Sequence, residues 1–233
     1  MKTYPGGKGG AGVYQFLINQ IPPHDLYIDG YLGNSAIMRF KRPARLNIGS
    51  DRDPGIIDHW RAQDQYRYKR DDNAGFYFFC ESFLDLLARI DQFDYEPTQT
   101  FIYLDPPYLP ETRKNRKIYD YEMNRADHIR LLSAIRERPE MIMISGYQSS
   151  LYAEALDHWR TLNYTNMTRS GPALETVWMN YKQPNKLHDY SFLGSDFTDR
   201  QRIKRKIQRL RNKLLALPPL ERSAVMDGID DID

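Results

Sequence analysis

The chain has 233 residues, 41% of them hydrophobic and 27% charged, which is enough to bury one sizeable core with a small appendage. Its single cysteine, Cys80, excludes an intramolecular disulfide and a zinc site built from several cysteines, and the sequence has no secretory signal and no long apolar span, so we expect a cytoplasmic protein without a membrane segment. The net charge of +2 averages a strongly basic stretch near residues 200–213 with an acidic end.

Short apolar runs alternate with helical patterns along most of the chain. The runs predict five strands, at residues 26–31, 45–49, 76–80, 101–104 and 141–145, and the segments between them predict helices at 33–40, 54–65, 82–90 and 125–138. Two further strands, at 159–165 and 174–181, are joined too tightly for a helix and predict an antiparallel pair at one edge. The fold class is therefore α/β, with a seven-stranded, mostly parallel Rossmann-like sheet and helices on both faces.

The tail after residue 181 predicts a long amphipathic helix. A capping box of Thr198 and Gln201 would begin it, Pro218-Pro219 would end it, and its apolar stripe is Ile203, Ile207, Leu210, Leu214 and Leu217. The other faces are basic and would either follow a nucleic-acid backbone or form a solvated cap on the core. We therefore predict a main domain at 1–184 and a helical C-terminal extension at 185–233.

A rigid polar tetrapeptide follows the fourth predicted strand. Asp105-Pro106-Pro107-Tyr108 lies where the buried run 101–104 ends, and its two prolines hold the flanking aspartate and tyrosine in a set relation. In open α/β sheets, ligands bind at the carboxyl ends of the strands. All four residues are therefore our candidate catalytic residues.

Acidic residues end or follow each of the first four predicted strands: Asp29, Asp51, Glu81 and Asp105. The first turn, residues 29–35, has glycines for close approach to a ligand but lacks the Gly-x-Gly-x-x-Gly spacing of a dinucleotide site. Four carboxylates would also repel a pyrophosphate. They suit a cofactor with a cationic group and free ribose hydroxyls.

In these residues the chain resembles the DNA adenine methylase (Dam) family of S-adenosylmethionine-dependent methyltransferases, over roughly residues 4–181. The resemblance rests, in order, on Tyr4-Pro5-Gly6-Gly7-Lys8, the turn at 29–33, Asp51, Phe79-Cys80-Glu81-Ser82-Phe83, Asp105-Pro106-Pro107-Tyr108, Ile144-Ser145-Gly146-Tyr147 and Glu175-Thr176-Val177-Trp178. The chain departs from the family at Tyr31 and Ser35, where phenylalanine and a second glycine are common. It also lacks the usual target-recognition insert before Asp105. The resemblance implies a bacterial or phage enzyme, with residues 1–184 as the catalytic domain.

The resemblance implies S-adenosylmethionine as the cofactor and no metal. The residues implied to bind the cofactor are Tyr4, Gly7, Lys8, Asp29, Gly30, Tyr31, Gly33, Asp51, Glu81 and Asp105. Asp29 and the backbone of 30–33 would face its methionine part, and Asp51 would accept hydrogen bonds from both ribose hydroxyls. Glu81 would lie near its adenine amino group. Lys8 would lie near its carboxylate or the reaction centre, or be a solvated loop lysine.

The implied reaction is site-specific or relaxed methylation of N6 of adenine in double-stranded DNA. The lone pair of this amine is delocalised, so Asp105 and the carbonyl of Pro106 would each accept one of its hydrogens and direct the lone pair at the methyl group. The base would be flipped out of the duplex and stack on Tyr108. No covalent intermediate is needed, and Cys80 is predicted to be a packed core thiol.

Basic and aromatic side chains follow the tetrapeptide and are the candidate DNA contacts: Arg113, Lys114, Arg116, Lys117, Tyr119 and Tyr121. A second such patch covers residues 66–70. Little of the chain is left for a reader of base sequence, so we expect relaxed specificity. Methylation of RNA adenine or of the amino group (N4) of cytosine, and a DNA-binding protein with a degenerate cofactor site, stay open as alternatives.

Overall fold

A computed structural model of the chain describes residues 7–10, 12–67, 74–91, 95–113, 120–168 and 171–230, and these residues include a seven-stranded sheet. Its strands are β1 (Leu26–Asp29), β2 (Leu46–Asp51), β3 (Gly75–Cys80), β4 (Thr100–Leu104), β5 (Met141–Gly146), β6 (Arg160–Thr168) and β7 (Gly171–Met179). Their order is β3-β2-β1-β4-β5-β7-β6. Strands β1 to β5 pair in parallel, and β7 runs antiparallel to both β5 and β6. The predicted α/β class, the mostly parallel sheet and the antiparallel edge pair are confirmed.

Helices connect the strands. They are α1 (Val13–Ile18), α2 (Ala36–Phe40), α3 (Pro54–Arg67), α4 (Phe83–Ile90), α5 (Arg125–Ile135) and α6 (Ser150–Ala155). Polar side chains begin several of them: Ser35 caps α2, Ser82 caps α4, and Asn124 with Asp127 forms a capping box on α5. The short helices α1 and α6 were not predicted, because six residues carry too little periodicity to separate a helix from a loop.

The core lies on the central strands. Every residue of β1 and β4 is buried, as expected for parallel strands with helices on both faces. Ile28, Leu104 and Ile144 pack in one cluster with Phe83 and Trp178. The edge strand β3 is covered less completely and leaves Cys80 exposed, so the prediction of a core thiol is wrong.

The chain forms two compact units, Met1–Tyr190 and Ser191–Asp233. The first extends past residue 184 because the backbone N–H of Arg42 donates to Asp189 (2.8 Å) and Nε2 of His188 lies 3.0 Å from the Arg42 carbonyl. None of the helices in the described ranges is long and apolar enough to cross a lipid bilayer.

The second unit contains α7 (Phe197–Leu215) and α8 (Pro219–Asp230). The N-cap of α7 is Asp196, which accepts a 2.8 Å hydrogen bond from the Asp199 N–H, so the predicted cap at Thr198 is wrong. Aspartate caps as well as threonine and adds a favourable charge at the helix N-terminus, which explains the earlier start. Pro219 begins α8, a position where proline costs nothing.

Candidate active site

A cleft opens at the carboxyl ends of β1 to β4, which are neighbours in the sheet. Parallel strands direct these ends to one edge, so residues distant in sequence meet there. Predicted site residues in its lining are Gly7, Lys8, Gly30, Tyr31, Gly33, Asp51, Glu81, Asp105, Pro107 and Tyr121. Other lining residues were not predicted as site residues, among them Asn34, Ser35, Arg52, Ser82, Asp127 and Arg130.

The turn after β1 is shaped by two glycines. A Cβ at Gly30 would come within 2.5 Å of the Phe83 ring and 2.6 Å of Leu104, so a larger residue would have to displace these two core side chains. Gly33 has a φ of 38°, in the region that favours glycine. Its N–H donates to Oδ2 of Asp51 (2.8 Å), and its carbonyl accepts from Nε1 of Trp60 (2.8 Å). The turn is therefore tied to the end of β2 before a ligand binds.

Asp29 lies beneath this turn and is not among the residues that line the cleft. Its Oδ2 accepts hydrogen bonds from the hydroxyls of Tyr27 (3.0 Å) and Ser35 (2.6 Å). Burial raises its pKa to about 7, although both hydroxyls act in the opposite direction. Ser35 in turn caps α2 through the Met38 N–H. In this structure Asp29 supports the turn.

Two carboxylates at the ends of β2 and β3 face the cleft. Asp51 accepts backbone N–H groups on both oxygens, from Asp53 at 2.9 Å and Gly33 at 2.8 Å. Burial nevertheless raises the pKa of Asp51 above its usual range. Glu81 follows β3 and forms an ion pair with Arg89 of α4. Both acids retain lone pairs for a ligand, since a carboxylate offers about four acceptor positions.

One residue that lines the cleft, Asn34, has an unsatisfied acceptor. The side-chain oxygen Oδ1 of Asn34 is buried and has no hydrogen-bond partner in the part of the chain that the structure describes. A buried polar atom without a partner is costly and calls for a donor from elsewhere. Together with the neighbouring carboxylates, this oxygen suits a ligand that carries a cationic donor.

Asp105 is held at the end of β4 through one of its two oxygens. Oδ1 accepts from Nζ of Lys8 (2.8 Å) and from Oγ of Ser145 (2.9 Å). Oδ2 makes no hydrogen bond to the described residues, and the side chain is 21% exposed. Burial raises the pKa of Asp105, against the opposing effect of the Lys8 charge. The next residue, Pro106, is buried, whereas Pro107 lines the cleft.

Tyr108 is buried and does not line the cleft. Its hydroxyl accepts from Lys8 (2.6 Å) and donates to Oε2 of Glu175 (2.7 Å). Its ring meets that of Tyr147 edge to face, with centroids 4.7 Å apart. Tyr121 does line the cleft and is 45% exposed, so it is the more accessible aromatic residue.

Of the predicted DNA contacts, Arg113 is not open to a phosphate in this structure. Its side chain is 3% exposed and forms a bidentate ion pair with Glu122, at 3.1 and 2.6 Å. Four of the other five predicted contacts lie outside the described residues: Lys114, Arg116, Lys117 and Tyr119. Tyr4 and the side chains of the patch at 66–70 also fall outside them.

No role was predicted from the sequence for four polar residues that support the site: Ser145 on β5, Tyr164 and Asn166 on β6, and Glu175 on β7. Glu175 is fully buried and accepts hydrogen bonds from Tyr164 (2.8 Å) and Asn166 (2.9 Å). The available signal was Glu175 itself, an acidic residue within a predicted edge strand. A charge in such a position is rarely buried without a partner, so it indicates a polar network.

Comparison with known proteins finds no matching family model and no matching curated protein. Among solved structures, an rRNA methylase from Streptococcus thermophilus is 15% identical over 71% of this chain and 92% of its own, with a TM-score of 0.44. A SAM-dependent methyltransferase from Methanosarcina mazei is 8% identical over 70% and 95%, with a TM-score of 0.47. M. capricolum TrmK, in complex with S-adenosyl-homocysteine, is 10% identical over 95% of both chains, with a TM-score of 0.44. Similarities this low do not identify the reaction of this chain, which has to be inferred from its site residues.

Proposed function

We propose that the chain is a DNA methyltransferase that uses S-adenosylmethionine to methylate N6 of adenine. The observation that carries this proposal is the state of Asp105. One oxygen is anchored by Lys8 and Ser145, and the other makes no hydrogen bond within the described residues, in a cleft that also contains Asp51 and Glu81. This arrangement suits a carboxylate that receives an amine beside a cationic cofactor.

The residues of the cleft fit S-adenosylmethionine, which has ammonium, sulfonium and ribose hydroxyl groups. When bound, the cofactor supplies an electrophilic methyl group on a sulfonium. Asp51 would accept hydrogen bonds from the ribose hydroxyls with the lone pairs that its two backbone donors leave open. Oδ1 of Asn34, which lacks a partner among the described residues, suits the ammonium, and Glu81 suits the adenine amino group.

The target amine would be activated by Asp105 and by the backbone carbonyl of Pro106. Each accepts one N–H hydrogen, which turns the nitrogen lone pair away from the base and towards the methyl group. As the amine gains a methyl group it releases one proton. Asp105 is the base beside it and would pass this proton to solvent. The carboxylate also stabilises the positive charge that develops on nitrogen.

We propose Tyr121 as the aromatic residue that stacks on the flipped base. Tyr108 uses its hydroxyl to bind Lys8 and Glu175 and is buried, whereas Tyr121 lines the cleft and is exposed. Stacking on an exposed ring offsets part of the cost of unpairing the target.

DNA would be held through the C-terminal extension, residues 185–233, while residues 1–184 catalyse the reaction. Helix α7 presents four exposed basic side chains at helical spacing: Arg202, Lys206, Arg209 and Lys213. Residues with this spacing share one face, which suits a row of phosphates.

The test is mass spectrometry of nucleosides from DNA and RNA that have been incubated with the protein and isotopically methyl-labelled S-adenosylmethionine. Label in N6-methyladenine from DNA is expected. Label in N4-methylcytosine, or only in RNA nucleosides, would contradict the proposed substrate. Binding of DNA without measurable binding of S-adenosylmethionine would indicate a DNA-binding protein with a degenerate cofactor site.

A further inference from the structure

The ammonium group of Lys8 lies between two carboxylates. Nζ is 2.8 Å from Oδ1 of Asp105 and 3.2 Å from Oε2 of Glu175. Lys8 is 3% exposed and Glu175 is completely buried. Charges this deep persist only when they are paired and hydrogen-bonded. The three side chains therefore form one electrostatic unit.

Glu175 is built to stay ionised. Its two oxygens accept from the hydroxyls of Tyr108 (2.7 Å) and Tyr164 (2.8 Å) and from Nδ2 of Asn166 (2.9 Å). Burial acts to raise the pKa of Glu175, but the Lys8 charge and these donors hold it below the usual range. The pKa of Asp105, by contrast, is raised. The two acids that contact Lys8 therefore differ in acidity, and Glu175 is the one whose ionised form the structure favours.

The charge balance of this unit gives Glu175 a role. Lys8 carries one positive charge, and Asp105 and Glu175 carry one negative charge each, so the unit has a net charge of about −1 beside the cleft. If Asp105 alone faced Lys8, the pair would be neutral where a methylated amine becomes positive. Interactions aimed at developing charge in a dry site are among the largest contributions to catalysis.

We propose that Glu175 is a positioning residue that neutralises Lys8, so that the charge of Lys8 does not cancel the negative charge that Asp105 presents to the target amine. The proposal rests on the proposed function for the role of Asp105. Tyr108 belongs to the same unit, because its hydroxyl links Lys8 to Glu175. The edge hairpin β6–β7 thereby contributes to the chemistry without lining the cleft.

The test compares Glu175→Gln, Lys8→Met and the double variant. In the double variant only Asp105 is charged, so the unit has the same net charge of about −1 as in wild type. The first readout is the pKa of Asp105, followed by NMR of ¹³C-labelled aspartate carboxyls in the full chain. We expect Glu175→Gln to lower this pKa by about one unit and Lys8→Met to raise it by about 1–3 units. The double variant should return it towards the wild-type value. Tyr164→Phe, which removes a donor but no charge, should move it by less than half as much as Glu175→Gln.

The second readout is turnover. Glu175→Gln should lower kcat by about 100-fold, with the Kd for S-adenosylmethionine nearly unchanged. If the two substitutions acted independently, the loss of kcat in the double variant would be the product of the two single losses. We expect the kcat of the double variant to be at least tenfold higher than that. Strictly multiplicative losses, or an Asp105 pKa that does not move in opposite directions in the single variants, would overturn the proposal. The NMR readout needs no substrate, so a wild-type protein that fails to methylate DNA adenine overturns the proposed function alone.

Discussion

Ser145 on β5 donates a 2.9 Å hydrogen bond from its hydroxyl to Oδ1 of Asp105 at the end of the neighbouring strand β4. Together with Lys8 it holds one oxygen of the carboxylate in place. We therefore expect Asp105→Asn to lower the rate of methyl transfer by about 10²–10³-fold or more, because the amide keeps the shape but loses the charge. Cofactor affinity, measured by calorimetry, should stay nearly constant. A variant that keeps a tenth of the wild-type rate would contradict the role given to Asp105.

Asp51→Asn should have the opposite effect and weaken cofactor binding more than it slows methyl transfer. A hydrogen bond to a charged group contributes about 1.5–3 kcal/mol, so the Kd for S-adenosylmethionine should rise by about 10–100-fold. Turnover at saturating cofactor should change much less. Asp53→Asn is the matched control, since it removes the same charge two residues away and Asp53 is not in the cleft lining. Equal losses of affinity in both variants would show that net charge, not the ribose contact, is responsible.

The buried acid beneath the first turn predicts a pH effect on stability. Folded Asp29 holds its proton up to about pH 7, whereas the unfolded residue releases it near 3.8. Between these values the folded state binds more protons, so the free energy of unfolding falls as pH rises, by up to about 1.4 kcal/mol per pH unit. Asp29→Asn removes this contribution.

Urea unfolding of wild type and Asp29→Asn between about pH 4 and 7 checks this expectation. Burial lowers the pKa values of His24 and His188, so these residues make the free energy of unfolding rise with pH. They do so in both proteins, and their contribution therefore cancels when the variant is subtracted from wild type. If the difference in free energy of unfolding between wild type and Asp29→Asn did not change with pH, the raised pKa of Asp29 would be refuted.

Replacing the basic row of α7 with glutamine should weaken DNA binding and flatten its dependence on salt. The changed residues are Arg202, Lys206, Arg209 and Lys213. Each phosphate contact contributes about 0.9 to the log–log slope, so a loss of about 3–4 is expected. Binding titrations over a range of salt concentrations measure it. Replacing Lys114, Arg116 and Lys117 instead tests the loop, and the larger change in slope identifies the surface that meets the backbone.

Sequence specificity should be relaxed. Discrimination of a base pair takes a rigidly held bidentate side chain, worth about 1–3 kcal/mol. Between Glu81 and Asp105 the chain is used for α4 and β4, which leaves little room for such a reader. Long-read sequencing of a plasmid methylated to saturation measures the outcome. Modification confined to one motif of four or more fixed bases would show that a base reader exists.

The sheet could be predicted because its central strands are continuously apolar. Strands such as β4 and β5 carry the signal of burial on both faces, and the acids that follow β3 and β4 mark the ligand edge. The burial of individual residues on the edge strand β3 was harder to predict, since an apolar sequence does not reveal which positions remain exposed. Cys80 is one of the exposed positions.

The contacts within the site were less predictable, because they depend on packing between distant segments. Arg113 looked like a phosphate ligand, yet Glu122 forms an ion pair with it. Tyr108 looked like a stacking residue, yet its hydroxyl binds Lys8 and Glu175. Charge and aromaticity can be read from the sequence, whereas the partner that each side chain finds is set by the tertiary structure.

The unit formed by Lys8, Asp105 and Glu175 combines residues from opposite ends of the first compact unit, Met1–Tyr190. Lys8 precedes β1 and is synthesised before any of the described strands, whereas Glu175 belongs to β7, the last of them along the chain. A nascent chain that has completed the parallel strands but not the β6–β7 hairpin therefore has a cofactor cleft without its charge balance. Methyl transfer should consequently begin only after synthesis has passed β7, so fragments released earlier would be inert towards DNA.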